Sequence, residues 1–121
     1  MNSAKSETSD ILCIEDNEAF VYALRALVDN RVHAAGTLKD GVSKITARRW
    51  YRIVLDLMLP DSDLEETVSL IPGIVRLAQG TPVIVMTGFC VSRQALLDLG
   101  ASEVVEKTDP KFPGVLLRAL E

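Results

Sequence analysis

Histidine occurs once in this chain of 121 residues and cysteine only twice, so no cluster of Cys and His ligands can be assembled to hold structural zinc. Two cysteines, at 13 and 90, also fall far short of the disulfide density of a small secreted scaffold, and a reduced, cytoplasmic compartment is the expectation. Long apolar runs are missing as well. None approaches the ~20 residues of a membrane span. The Ser- and charge-rich segment from Met1 to Ser9 lacks the apolar stretch of a signal peptide. That segment is read as a mobile tail, with the folded unit covering 10–121. Basic charge is not in excess either. At a net charge of −4, with the basic residues scattered apart from Arg48, Arg49 and Arg52, the chain has no general attraction for nucleic-acid phosphates or anionic lipid. Neither nucleic acid nor membrane is expected as a direct partner. Finally, no Gly-rich loop follows the first apolar run, which argues against a flavin- or nucleotide-phosphate cradle there.

What is present is ordinary globular composition, 48% hydrophobic and 25% charged, in a length that suits one core. Short β-rich apolar runs alternate with longer segments of helical period. The sequence predicts strand Ile11 to Ile14, helix Glu18 to Asp29, strand Arg31 to Ala35, helix Leu38 to Arg49 and strand Ile53 to Leu55. There follow helix Leu64 to Ala78, strand Val83 to Met86, helix Ser92 to Leu99, strand Glu103 to Val105 and a final helix ending at Leu120. Repeated strand-helix units mean an α/β fold: a doubly wound, five-stranded parallel sheet with right-handed crossovers and helices on both faces.

Local signals support the helices. Asn17 precedes Phe20, Leu24, Leu27 and Val28 at one-face spacing, and Thr37 precedes Leu38, Val42 and Ile45, with Asp40 where a capping box places an acid. Pro72-Gly73 predicts a break or kink in the third helix, because proline removes a helix hydrogen bond and clashes with the preceding turn. The second strand is inferred mainly from the repeat, since His33, Ala34 and Gly36 have little β preference.

The chemistry lies at the strand ends. Glu15 and Asp16 follow the first strand, Asp56 the third, Thr87 the fourth and Lys107 the fifth, all at the edge where open parallel sheets bind ligands. If the first and third strands are neighbours, Glu15, Asp16 and Asp56 share one crevice. Carboxylates that close repel one another unless a cation compensates them, and Mg²⁺, which keeps waters and accepts an incomplete protein shell, suits such a set. A carboxylate there can also act as a nucleophile toward phosphorus, with Lys107 pairing to the phosphoryl oxygens and the Thr87 hydroxyl donating to one.

The segments ILCIEDN, IVLDLMLPDSD, PVIVMTG and EVVEK stand in that order, and through them the chain resembles the response regulator receiver domain of two-component signalling from Asp10 to Leu120. The resemblance implies a flavodoxin-like sheet of order 2-1-3-4-5, with Asp56 as phosphoacceptor. It implies Glu15, Asp16, Asp56 and the Met58 backbone carbonyl as ligands of Mg²⁺, and Thr87 and Lys107 as phosphate-sensing residues. The implied partners are a histidine kinase or histidine phosphotransfer protein that delivers the phosphoryl group, and a downstream protein target. The chain takes part in phosphoryl transfer to itself and is not expected to be an enzyme. It departs from the family pattern at Leu64, where glycine often follows the loop acid, and at Thr108, where proline commonly follows the lysine. It departs again at Val104, where an aromatic switch residue is expected, and in a short fourth helix.

Met58 and Phe89, two residues beyond Asp56 and Thr87, cannot orient an attacking water by a strong hydrogen bond, so slow self-dephosphorylation is expected. Two rival readings are a non-phosphorylated protein-interaction module on the same fold and a small Mg²⁺-dependent aspartyl phosphatase. The second lacks a further acid two residues beyond Asp56. Asp61 and Asp63 read as turn and cap residues, His33 as a solvated or hydrogen-bonded side chain, Trp50-Tyr51 as cover over the start of the third strand, and Cys90 as an incidental loop thiol.

Overall fold

A computed structural model describes residues 9–29, 31–88 and 91–121. The expectations for Met1 to Thr8, Phe89 and Cys90 lie outside the described residues. The strands are β1 (Ile11–Ile14), β2 (Val32–Ala35), β3 (Arg52–Asp56), β4 (Val83–Thr87) and β5 (Glu103–Glu106). The helices are α1 (Glu18–Leu27), α2 (Leu38–Ala47), α3 (Leu64–Leu77), α4 (Arg93–Asp98) and α5 (Phe112–Ala119). The strands form one parallel sheet of order β2-β1-β3-β4-β5, the flavodoxin-like arrangement that the resemblance implies.

Two apolar layers follow from the period of two along each strand. On one face Leu12, Ile14, Ile53, Leu55, Val83 and Val85 pack with Leu38, Ile45, Ile71, Ile74 and Leu96, burying α2, α3 and α4. On the other, Ile11, Cys13, Val54, Ile84, Met86 and Val105 pack with Val21, Leu24, Leu116 and Leu120, covering α1 and α5. Because both faces are covered, the central strands read as continuous apolar runs rather than as alternating ones.

The predicted caps form. The Asn17 side chain accepts from the Phe20 N–H at 3.1 Å and that of Thr37 from the Asp40 N–H at 3.0 Å. Helix α1 ends earlier than predicted, with Asp29 at φ 56, and α2 stops at Ala47 because Arg48 is fully extended (φ −165, ψ 174). Gly41 is required where α2 crosses β1, since a Cβ there would lie 2.7 Å from Ile14 Cδ1. Gly100 turns the chain out of α4 at φ 117, where a side chain would also meet Val75 at 3.1 Å.

Of the break or kink expected at Pro72-Gly73, the break does not occur: α3 runs from Leu64 through Leu77 with Pro72 inside it. Proline in a helix interior costs about 3 kcal/mol. Ile71 and Ile74 beside it are 0% and 2% exposed, and burying such side chains contributes about 1.5–3 kcal/mol each, enough to hold the helix through the proline.

Candidate functional site

The ends of β1, β3, β4 and β5 each contribute one part of a single crevice. β1 runs directly into Glu15 and Asp16, and β3 ends on Asp56. The sequence prediction ends that strand at Leu55, but Asp56 belongs to the ladder, in register with Met86 of β4. Its position is therefore set by sheet geometry rather than by a loop. The ligand oxygens of Glu15, Asp16 and Asp56 all lie within 4.8 Å of one another, Glu15 and Asp56 buried and Asp16 exposed. β1 and β3 are hydrogen-bonded neighbours, which is what brings these acids together.

Lys107 follows β5, and its backbone N–H donates to the Thr87 carbonyl at 2.8 Å, so the ends of β4 and β5 are tied. The Lys107 Nζ stands 3.0 Å from Glu15 Oε1 and 3.2 Å from Asp56 Oδ1. Partial burial works against its charge, but the hydrogen bond to Glu15 and the negative charge of Asp56 outweigh it, and the ammonium is held above the ordinary lysine value. It therefore stays charged throughout the neutral range.

Glu15 is anchored a second time, because its Oε2 accepts the Asn17 N–H at 3.1 Å. Thr87, the last residue of β4, is 1% exposed at the same edge. Met58 lies in the loop after β3, its backbone N–H 3.4 Å from Asp56 Oδ1 and its side chain 44% exposed. Every predicted site residue thus belongs to one edge of the sheet. Cys13, one strand position before Ile14, is no rival nucleophile: burial pushes its thiol up to about 12, and the nearby charges of Glu15 and Asp56 add to this.

The loop acids act as caps, with a reach the sequence does not reveal. Asp63 caps its own helix, accepting from the Glu66 N–H at 2.8 Å. Asp61 reaches across the crevice rim to the start of α2, accepting from the Leu38 and Lys39 N–H groups at 2.7 and 3.0 Å. Those bonds, Leu38 first, lower its carboxyl below the usual carboxylate range despite slight desolvation. His33 is half-exposed and bonded to Asp10, and Trp50 is buried over the start of β3 with its indole N–H donating to the Lys44 carbonyl at 2.8 Å. Val104, at the aromatic switch position, is a buried core residue facing α4's layer. Sequence reasoning missed one neighbour of the site, Phe20, whose ring centroid is 5.9 Å from Lys107 Nζ. Its helical spacing reads simply as core.

No family model matches the chain, and no curated protein matches it in sequence. Solved structures do. A response regulator from Burkholderia pseudomallei, with a phosphorylated aspartic acid, a calcium ion and citrate, is 25% identical at a TM-score of 0.76, over 93% of this chain and 66% of that one. A CheY-like receiver domain protein from Methanospirillum hungatei is also 25% identical at 0.76, over 93% of this chain and 90% of that one. The beryllofluoride-activated receiver domain dimer of NtrC4 is 26% identical at 0.76, over 93% and 96%. Over most of its length, then, the chain is similar to response regulator receiver domains and has their five-stranded flavodoxin-like fold.

Proposed function

We propose that the chain is a phosphoacceptor receiver domain, taking a phosphoryl group on Asp56 from a phosphohistidine of a histidine kinase or histidine phosphotransfer protein. The observation that carries this reading is a buried carboxylate, Asp56, flanked within 4.8 Å by two further acids and contacted at 3.2 Å by a lysine ammonium. The phosphorylated aspartic acid of the Burkholderia protein and the beryllofluoride-activated state of NtrC4 support it by analogy.

In the reaction, an Asp56 carboxylate oxygen attacks phosphorus, the P–N bond to imidazole breaks, and the imidazole leaves with its electron pair. Lys107 Nζ is already beside Asp56 and would follow the incoming phosphoryl oxygens, exchanging one anionic partner for another. The Thr87 hydroxyl donates to a phosphoryl oxygen from the end of β4. Three hard oxygen donors against one ammonium leave a surplus of negative charge that fits Mg²⁺, which Glu15, Asp16, Asp56 and the Met58 carbonyl would hold. The ion would neutralise charge on the transferring group. Thereafter the added charge biases a protein-interaction surface, and the chain acts as a switch rather than as a turnover enzyme.

The test is incubation with acetyl phosphate and Mg²⁺, read by intact mass, with Asp56→Asn alongside. One phosphoryl adduct on the parent protein and none on the variant is the expected result; no adduct on the folded parent would favour an interaction module on the same fold. Slow loss of that adduct is expected, because Met58 offers no strong hydrogen bond to an attacking water. Met58→Asn should shorten its lifetime, and unchanged decay would count against a role for Met58 in it.

A further inference from the structure

We propose that Phe20, backed by Phe112, is a positioning residue for Lys107, its ring forming the apolar wall of the cradle in which the ammonium meets Glu15 and Asp56. This rests on the phosphoacceptor reading above. A lysine side chain is a point charge on a flexible four-carbon stem, with much rotamer freedom to lose before it can meet a phosphoryl oxygen. The two acids set how far Nζ stands from each carboxylate, at 3.0 and 3.2 Å, but they do not define the side from which it approaches. The Phe20 ring does, with its centroid 5.9 Å from Nζ, within the ~6 Å over which a ring face attracts a cation.

The ring is itself fixed by the residue that fixes Glu15. The Asn17 N–H donates to Glu15 Oε2 at 3.1 Å, while the Asn17 side chain accepts the Phe20 N–H at 3.1 Å. One helix cap therefore sets both the acid and the aromatic wall of the lysine cradle. Phe112, at the first position of α5, packs on Phe20 with centroids 6.1 Å apart and planes tilted by 39°, leaving the ring little room to turn away. Both phenylalanines are half-buried, so they also screen one side of a lysine side chain that is 32% exposed. A lysine held this way meets the incoming phosphoryl group without a search, and preorganisation of that kind speeds transfer.

A purely space-filling role for Phe20 at its helical position predicts that leucine would serve as well; a π-face role predicts that it would not and that tyrosine would. The experiment pairs NMR of the Lys107 ε-methylene protons with the initial rate of phosphorylation by acetyl phosphate and Mg²⁺. Parent, Phe20→Leu, Phe20→Tyr and Phe112→Leu proteins are compared, each checked for a cooperative melt. The ring current of Phe20 should shift the ε-methylene resonance upfield in the parent. Phe20→Leu should lose that shift and phosphorylate about two- to fivefold more slowly, the range a partly exposed cation-π contact commands. Phe20→Tyr should recover most of both. Phe112→Leu should show a smaller change in the same direction and carries the test if Phe20→Leu does not fold. A Phe20→Leu protein with parental shift and rate, or equal slowing in the leucine and tyrosine variants, would overturn the proposal. If the parent takes no phosphate at all, the receiver reading falls, and the ε-methylene shift still decides whether Phe20 positions Lys107.

Discussion

At the edge where the strands begin, one carboxylate meets a guanidinium and an imidazole; at the edge where they end, one ammonium meets two buried carboxylates with a third beside them. Asp10 accepts from Arg48 Nη2 at 2.6 Å and lies 3.2 Å from His33 Nε2, while the Arg48 guanidinium sits 4.4 Å from the Trp50 ring centroid. The Arg48 hydrogen bond is the chief cause that holds the Asp10 carboxyl below its usual range, with slight desolvation opposing and the His33 charge assisting. That group of charges is matched and closed. Glu15, Asp16, Asp56 and Lys107 leave negative charge uncompensated in a largely buried setting. Folding alone gives no reason to gather like charges out of water, because desolvation and mutual repulsion both oppose it. The difference between matched and surplus charge separates a structural clasp from a set of acids whose chemistry suits a cation, in keeping with the function proposed above.

The comparison breaks most directly at Lys107. Lys107→Met strands two carboxylates that are each within 5% of full burial, and unfolding stability should fall by about 2–3 kcal/mol, less than a fully buried pair would lose because the ammonium is partly open. Urea titration with and without Mg²⁺ measures this; a variant as stable as the parent without the ion would mean that the acids tolerate their crowding. Next in size, Mg²⁺ at ten times its dissociation constant should raise stability by about 1.4 kcal/mol through mass action alone. Asp16→Asn should remove most of that gain. Equal ion-dependent shifts in the melting temperatures of variant and parent would place the ion elsewhere.

At the matched edge the expected effect is smaller. Arg48→Ala should cost about 0.5–1 kcal/mol, the worth of an exposed pair with some cation-π contact, and should leave phosphorylation at Asp56 unchanged. A slowed phosphorylation would show that the two edges communicate. The last effect is one of pH dependence, at Asp61, whose carboxylate accepts the first two N–H groups of α2. Its folded carboxyl value is lowered, so its contribution is present above the unfolded value near pH 4 and lost as pH falls through the folded one. Asp61→Ala should flatten the acid limb of the stability curve below about pH 4 without altering the alkaline limb. An unchanged acid limb would mean that the Leu38 and Lys39 bonds do not survive in solution.

Much of this was legible beforehand because it depends on local chemistry. The apolar runs of β1, β3 and β4 and the caps at Asn17 and Thr37 each follow from side-chain period or backbone preference over a few residues. Glu15, Asp56, Thr87 and Lys107 stood out because charge or hydroxyl appears where an apolar run stops. What escaped was non-local. Pro72 looked like a helix breaker until the burial of Ile71 and Ile74 outweighed it, and Asp61 looked like a loop residue although its partners are 22 and 23 positions away. Phe20 carried no sign of Lys107 because a ring at helical spacing reads as core whichever neighbour it meets.

The sequence by itself determined the strand-helix alternation, the two-sided burial of the sheet and the kinds of residue at its functional edge. Hydrophobic period and capping act over one or two turns of chain, so they can be read without knowing what lies across the fold. Only the tertiary structure decided that Asp56 lies within the β3 ladder, that Lys107 divides its contact between Glu15 and Asp56, and that Phe20 forms the third side of that contact. Those distances are set by sheet register and by the packing of α1 and α5, which bring together residues as far apart in sequence as 15 and 107, and no local preference encodes them.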